Sequence, residues 1–400
     1  MPRFEPFPGI RYDNERVSLD DVVAPPYDVI AEDERRRLEA RSPYNIVRVD
    51  LSRATDGGDR YEAAGCRFEE WLDQGVLVVE PEPVLYVYRM GFRDEAGRSR
   101  QTTGVIGALE LAPTDGSVLP HERTMAKPKD DRLKLMRACR ANVSPIWGLS
   151  LAQGLSDLCT VEGPPVARCT DDEGVHHRLW RVTRPAVIDA IRQTVASAPV
   201  VIADGHHRYE TALAYRDERR AAAGDRPGDY DLVLAYVVEL ADEHVSVGPI
   251  HRLLWDLPDG FDPAEALASQ FELGDGGAPG PDLPQRLADA DASALVVPGH
   301  TWWLRPRANG DGDGVADEPD AARLDRALAA WPSHNTGYPH RAADVLAAVG
   351  AGQAQAGLLL RAATVDQIAR TARAGRRMPE KTTFFRPKPR TGLVFRRLED

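Results

Sequence analysis

At 400 residues the chain exceeds a single typical domain, and about 100–200 residues per domain predicts two or three. Hydrophobic residues at 42% and charged residues at 28% are ordinary globular usage, which excludes collagen, coiled coil and wholesale disorder. A formal net charge of −12 argues against a broad duplex-binding face and leaves room for a local basic pocket.

In chain order, the N-terminal stretch reads as irregular up to the loop Val22, Val23, Ala24, Pro25, Pro26, Tyr27, Asp28. Paired prolines forbid a helix there. A helix is predicted around Ala31–Arg41, a period-two strand over Asn45–Leu51, and an amphipathic helix over Arg60–Gln74 capped by Gly75. Strands at Val84–Met90 and Thr103–Leu111 flank the polar turn Arg93–Arg100 as a β-hairpin. A loop over Ala112–Asp130 leads to a helix at Asp131–Ala141, N-capped by Asp130, with Leu133, Met136 and Arg137 on its inner side. Short strands and turns over 146–183 precede a helix at Pro185–Ser197, a buried strand at Pro199–Ala203 and a helix at His207–Ala223.

Strands resume at Leu232–Glu239 and Leu253–Leu257. Residues 274–339, rich in Gly, Asp, Pro and Ala, read as a loop-rich peripheral region. A strand at Gly357–Arg361, a helix at Val365–Ala374 and a Pro-punctuated basic segment follow. The mixture predicts an α+β (mixed α/β) fold with mixed sheets. It divides into an N-terminal α+β region 1–112, a central phosphate-binding region 113–273, and a C-terminal region 274–400 whose basic end returns to the site.

The longest uncharged apolar run, Val345 to Leu360, contains Gly350, Gly352, Gln353 and Gln355 and is too short to span a bilayer. The opening Met1, Pro2, Arg3, Phe4, Glu5, Pro6 lacks an apolar signal core, so a cytoplasmic location is expected. Cys66, Cys139, Cys159 and Cys169 form no C-x-x-C pair, and no disulfide framework, structural zinc or other metal ligand set is assigned.

The strongest chemical signal is Val200, Val201, Ile202, Ala203, Asp204, Gly205, His206, His207, Arg208, Tyr209. A buried strand stops at Asp204, turns through Gly205 and starts a helix with His206, His207 and Arg208 in its first turn. Amides there lack intrahelical partners and carry the positive end of the dipole, so an anion is favoured. Arg208 adds a planar fork for phosphate oxygens. Cations at a helix N-terminus oppose the dipole, which points to a ligand; the alternatives are a helix start whose Arg208 pairs with Asp204 or another carboxylate, and a metal site on His206, His207 and Asp204, which adjacent helical histidines, pointing about a hundred degrees apart, rarely form.

A second signal is Leu119, Pro120, His121, Glu122, Arg123, Thr124, followed by Lys127, Pro128, Lys129, Asp130, Asp131, Arg132. Three of the chain's five lysines fall between Lys127 and Lys134, and choosing Lys in an Arg-biased chain suggests that a compact ammonium is needed. Glu122 is a candidate base on a substrate hydroxyl or a magnesium holder, with His121 second. The third signal, Arg377 to Pro389, carries Lys381 and Thr382 as phosphate or carboxylate ligands, without a Gly-rich loop ahead of them. Tyr27 and Asp28 form a fourth candidate. His176 and His177 read as structural, and His251 with Arg252 as possible pocket lining.

The stretches Ala24–Ile30, Leu119–Thr124, Asn142–Ile146, Asp204–Tyr209 and Met378–Gly392 resemble domain-of-unknown-function family 1015, which implies no activity. Asn142 and Ser144 join Tyr27 and Asp28 as candidate substrate-binding residues on that basis. The Asp204–Arg208 turn is similar to the nucleotide-binding turn of the ParB/sulfiredoxin-like superfamily, in which a Gly-x-His-Arg element at a helix start cradles phosphates. That superfamily includes CTP-binding partition proteins, sulfiredoxins and free-serine kinases. The resemblance implies a ParB/sulfiredoxin-like nucleotide-binding element here, with Gly205, His206, His207 and Arg208 on phosphate. In the free-serine kinases an upstream acidic residue is the catalytic base, and Glu122 lies in the corresponding order, though its separation from Asp204 is long for a minimal domain.

The leading expectation is therefore a small-molecule kinase, a nucleotide-dependent phosphotransferase acting on a small hydroxyl-bearing metabolite such as serine or a relative. ATP or another nucleotide and Mg2+ are the expected cofactors. Glu122, His121 and Asp204 are the candidate catalytic groups, and Lys127, Lys129 or Lys381 would neutralise developing charge. A nucleotide-gated switch protein and a nucleotide or phosphate-ester hydrolase are the alternatives. Nucleic acid and membrane are not expected partners.

Overall fold

Leu85–Arg93 and Ser99–Glu110 pair antiparallel, from Tyr86 opposite Ile106 to Arg93 opposite Ser99. This hairpin sits inside a nine-stranded mixed sheet. Its order is Val118–Pro120, Val200–Asp204, Ile146–Ser150, Leu232–Glu239, Ser99–Glu110, Leu85–Arg93, His176–Val182 and Ala167–Thr170, with Phe4–Glu5 added beside Ser99–Glu110. Strand alternation gives one face Leu85, Val87, Val105, Ile146, Val200, Ile202 and Val237. These pack with Ile191 and Val195 of the helix Pro185–Ala196 and with Tyr209 and Ala212 of the helix His206–Ala223. The computed structural model describes residues 1–53, 58–94, 97–112, 116–120, 127–307 and 318–399, without the side chains of 120 and 127–129.

By Cα packing the chain forms two units, one of Met1–Ser246 with Pro387–Asp400 and one of Val247–Arg386. The first seam falls inside a run of ordinary composition, which is why no change in residue usage marks it in the sequence. In the first unit a small sheet joins Leu77–Val79, Gly9–Tyr12, Phe395–Arg397 and Ala141–Asn142 in that order. Its strand Phe395–Arg397 lies between two partners, so residues 387–400 are an internal part of that unit.

The second unit has its own sheet, ordered Phe271–Gly277, His300–Pro306, Ser293–Val297, Ala356–Leu359, Arg252–Trp255 and Asn335–Gly337. One apolar set, Leu254, Leu295, Leu304 and Leu358, packs with Leu324 and Leu328 of the helix Asp320–Leu328. Another set, Ala294, Val296 and Leu359, packs with Val345 and Val349 of the helix Ala342–Gly350.

The structure corrects several local expectations. Residues 45–51 hold a short helix, Val47–Asp50, where a strand was expected. Asn45 Oδ1 accepts from the Val47 amide at 3.0 Å, a side-chain turn that overrides the period-two pattern. The helix expected from Asp131 begins at Lys127, placing Asp130 in its first turn, 2.7 Å from Lys134, and not at the N-cap. Its buried side carries Arg132, Leu135 and Cys139, whereas Arg137 is exposed and pairs with Glu218. The expected loop 112–130 also contains the strand Val118–Pro120. Within 274–339, read as loop-rich, lie the strands Ser293–Val297, His300–Pro306 and Asn335–Gly337 and the helices Leu283–Ala290 and Asp320–Leu328. Glycines within Phe271–Gly277 mask its strand character.

His251 is 4% exposed, and its Nδ1 accepts from the Leu360 amide at 3.1 Å. Burial, with the Arg252 and His340 charges, pulls its pKa down to about 4, below the ordinary value of about 6.5. A depressed folded value means that the neutral ring's contribution is complete above about pH 6.5 and is lost as pH falls toward 4. The protein should lose about 2 kcal/mol between pH 7 and 5 from this ring. Denaturant melts of wild type and His251→Gln across that range check this, since the variant should show a flatter slope.

Candidate functional site

The strand Val200–Asp204 pairs antiparallel with Ile146–Ser150, and its register shifts between Ile202 and Asp204. Such a bulge re-aims the residue after it, and here it delivers Asp204 at the strand's end. Gly205 then takes φ +88, the left-handed region that only glycine enters without cost. It is the N-cap of the 18-residue helix His206–Ala223. A Cβ at 205 would lie 3.0 Å from the Arg208 guanidinium carbon, so the turn's glycine also makes room for that side chain to fold back over it.

Arg208 is held by protein oxygens. Nη2 donates to Asp204 Oδ2 at 2.7 Å, and Nη1 to Ser144 Oγ at 3.3 Å and to the Pro145 carbonyl. The carboxylate alternative raised by the sequence is thus realised in part: Arg208 does pair with Asp204. The same carboxylate accepts through Oδ1 from Lys388 Nζ. One anion therefore joins two cations, with side-chain exposures of 15% for Asp204, 11% for Arg208 and 18% for Lys388. Burial alone would raise the Asp204 pKa, but the Lys388 and Arg208 charges outweigh it and hold it at about 2. Asp204 in turn raises Lys388 against the opposing effect of its burial, and Asp28 adds to that field.

Lys388 lies between Pro387 and Pro389, which fix an extended backbone. Arg390 anchors the segment: its Nη2 meets Asp171 Oδ2 at 2.5 Å, and its amide donates to Tyr88 Oη at 3.3 Å. The Tyr88 hydroxyl then has His177 Nδ1 as acceptor at 2.7 Å, which leaves Nε2–H to donate to Asp171 at 3.0 Å. Burial favours the protonated Asp171, yet His177 and Arg390 bring its pKa down to about 2. Thr391 exchanges backbone hydrogen bonds of 2.9 and 3.1 Å with Ala24, at the head of the Pro25–Pro26–Tyr27 loop.

Beside Arg208 lies a cavity of about 30 Å³, lined in part by Tyr27, Asp50, Arg132, Asn142, Ser144 and Thr211. Arg132 Cζ stacks 4.2 Å from the Tyr27 ring centroid. Burial pushes the Tyr27 hydroxyl up to about 12 against the pull of both arginines. Of the expected substrate residues, Tyr27, Asn142 and Ser144 thus share one cavity wall with Arg208, and Asp28 is exposed near Lys388. Asn142 Oδ1 is committed to the Leu234 amide at 3.0 Å, a structural peg. His206 and His207 are half-buried in the same first turn.

His121 and Glu122 lie outside the described residues. Lys127 and Lys129 start the helix Lys127–Cys139, where only their backbone is described. Lys381 and Thr382 belong to the second unit, where Thr382 Oγ1 donates to the Pro379 carbonyl at 2.7 Å. Sequence reasoning missed Lys388, Arg132 and Asp50. The repeated prolines around Lys388 and the unusual Lys in an Arg-biased tail were the available signals for the first. Among the described residues no group of three or more His, Cys, Asp or Glu is arranged to hold a metal ion. No helix among them is long and apolar enough to cross a membrane.

A family model described as "Protein of unknown function (DUF1015)" matches residues 4–328. No curated protein matches the sequence significantly. Among solved structures, a free serine kinase in complex with AMP is similar at TM-score 0.37 and 12% identity, over 70% of this chain and 86% of that one. A conserved hypothetical protein from Pyrococcus furiosus is similar at TM-score 0.36 and 13% identity, over 72% and 92%. SbnI with C-terminal truncation, from Staphylococcus aureus, is similar at TM-score 0.38 and 10% identity, over 72% and 85%.

Removing the shared anion should cost more than removing either cation. Asp204→Ala leaves Lys388 and Arg208 facing each other and is expected to lower stability by about 3–5 kcal/mol. Lys388→Met leaves the Asp204–Arg208 pair and should cost clearly less. Chemical denaturation of the two variants beside wild type measures the order; equal losses would show that the carboxylate is not the hub.

Proposed function

The chain belongs to the DUF1015 family, whose description gives no activity, and we propose that it is a nucleotide-dependent phosphotransferase for a small hydroxyl-bearing metabolite. The observation that carries this reading is Arg208 fixed in the first turn of a long helix, with Lys388 beside it and a small cavity alongside. Asp204 supports it by holding both cations in place before any ligand arrives. Charge that is already oriented needs no reorganisation when a polyphosphate binds or when charge develops in transfer.

In this reading the amides of His206, His207 and Arg208, with the Arg208 and Lys388 charges, receive phosphate oxygens at the positive end of the helix dipole. Asp204 is a positioning residue, kept ionised by its two partners. Glu122, which precedes the helix Lys127–Cys139 in sequence, takes the role of base on the acceptor hydroxyl. Lys127 and Lys129, at the start of that helix, serve as further phosphate ligands. Magnesium, which takes one or two carboxylates and otherwise phosphate and water, would be carried on the polyphosphate. Serine or a related hydroxy amino acid is the acceptor class tested first.

A thermal-shift panel of ATP, ADP and CTP, with and without magnesium, should show stabilisation by at least one nucleotide. Arg208→Ala should weaken that nucleotide about tenfold or more by calorimetry; undiminished affinity would remove Arg208 from the phosphate site. Glu122→Gln should bind nucleotide normally while product formation from hydroxy amino acids falls at least about a hundredfold. Release of inorganic phosphate at full rate without any acceptor would instead mark a hydrolase.

A further inference from the structure

Asp50 ends the short helix Val47–Asp50 with its side chain 3% exposed. Arg132 Nη1 donates to its Oδ1 at 2.7 Å and Nη2 to its carbonyl at 2.9 Å. Its other carboxylate oxygen, Oδ2, has no hydrogen-bond partner among the described residues. Thr211, 1% exposed, comes from the second turn of the helix His206–Ala223. A threonine inside a helix ordinarily returns its hydroxyl to a carbonyl one turn back, yet Thr211 Oγ1 also has no partner among the described residues. Both residues line the cavity of about 30 Å³ beside Arg208.

A buried oxygen left unpartnered is costly, and native structures satisfy nearly all of them. Two on one small cavity wall define what fits. The volume admits one or two water-sized groups. Asp50 Oδ2 needs a donor, and the Thr211 hydroxyl can both give and accept. Arg132 and Arg208 line the same cavity, so a third cation such as an ammonium is disfavoured there. What remains is a neutral group that donates and accepts at once.

We propose that this cavity is a subsite for the primary hydroxyl of a small alcohol, which donates to Asp50 Oδ2 and accepts from Thr211 Oγ1. That this hydroxyl is the one to be phosphorylated rests on the phosphotransferase reading; its binding does not. Burial raises the Asp50 pKa against the pull of Arg132, so a donor to Oδ2 recovers stabilisation that the carboxylate lacks.

The test uses the full chain with ethylene glycol and L-serine as crystal soaks and 2-fluoroethanol as a fluorine NMR probe. A hydroxyl oxygen within about 3.2 Å of both Asp50 Oδ2 and Thr211 Oγ1 supports the subsite. Water bridging the two atoms in both soaks overturns it. In solution, Thr211→Val keeps the side-chain shape and should weaken 2-fluoroethanol about tenfold, the loss of one hydrogen bond, with thermal melting close to wild type. Equal affinity in that variant overturns the proposal. Asp50→Asn tests the donor side, and if the loss of charge opposite Arg132 prevents its folding the valine variant still decides. Absence of nucleotide binding to the wild type would strike the phosphotransferase reading while leaving the alcohol result intact.

Discussion

A carboxylate removed from water prefers to be neutral, and Asp204 stays charged because two cations meet it from different parts of the first unit. Arg208 comes from the helix that follows immediately, four residues on, and Lys388 from 184 residues further along. Local geometry brings the three groups together. The bulge after Ile202 directs the carboxylate, Gly205 leaves space for the returning guanidinium, and the prolines around Lys388 hold the ammonium out from a rigid segment. The helix start is thereby made electropositive by charges that have already been desolvated and oriented.

The extended tail is held as firmly as the carboxylate. The network of Asp171, His177, Tyr88 and the Arg390 amide and guanidinium ties it to the far strands of the large sheet. The Thr391–Ala24 bridge then fastens the proline loop to the tail, and Phe395–Arg397 closes into the small sheet. Tyr27 and Lys388 are thus positioned through one short stretch of chain, which explains how motifs at opposite ends of the sequence share a site.

Local chemistry was readable where the chain makes its own structure. The run Val200 to Arg208 announces a buried strand, a turn through glycine and a helix start, and the strand Val200–Asp204 and helix His206–Ala223 follow it closely. The hairpin of Leu85–Arg93 and Ser99–Glu110 was equally legible from its alternation. Asp50 was hidden because Asn45 turns an alternating stretch into a helix. Arg132 was hidden because a buried arginine violates the rule that helices bury their apolar side; its cost is met by Asp50, Asp131 and the Tyr27 ring. Lys388 depends on a pairing at long range, to which no periodicity is sensitive. The strand Phe271–Gly277 was obscured by its own glycines, and Ser293–Val297 and His300–Pro306 by the Gly- and Pro-rich stretches around them.

The distance in sequence between Asp204 and Lys388 has a consequence during synthesis. At ribosomal rates of about 5–20 residues per second, the 184 intervening steps take roughly 10 to 40 s. Through that interval the nascent chain carries Asp204 with Arg208 as its nearby cation, and the small sheet lacks its inner strand. The entire Val247–Arg386 unit is translated in the meantime. Emergence of residues 387–400 is therefore the event that completes the charge triad, so a ribosome stalled within the second unit would display a protein whose first unit is largely built and whose triad is not.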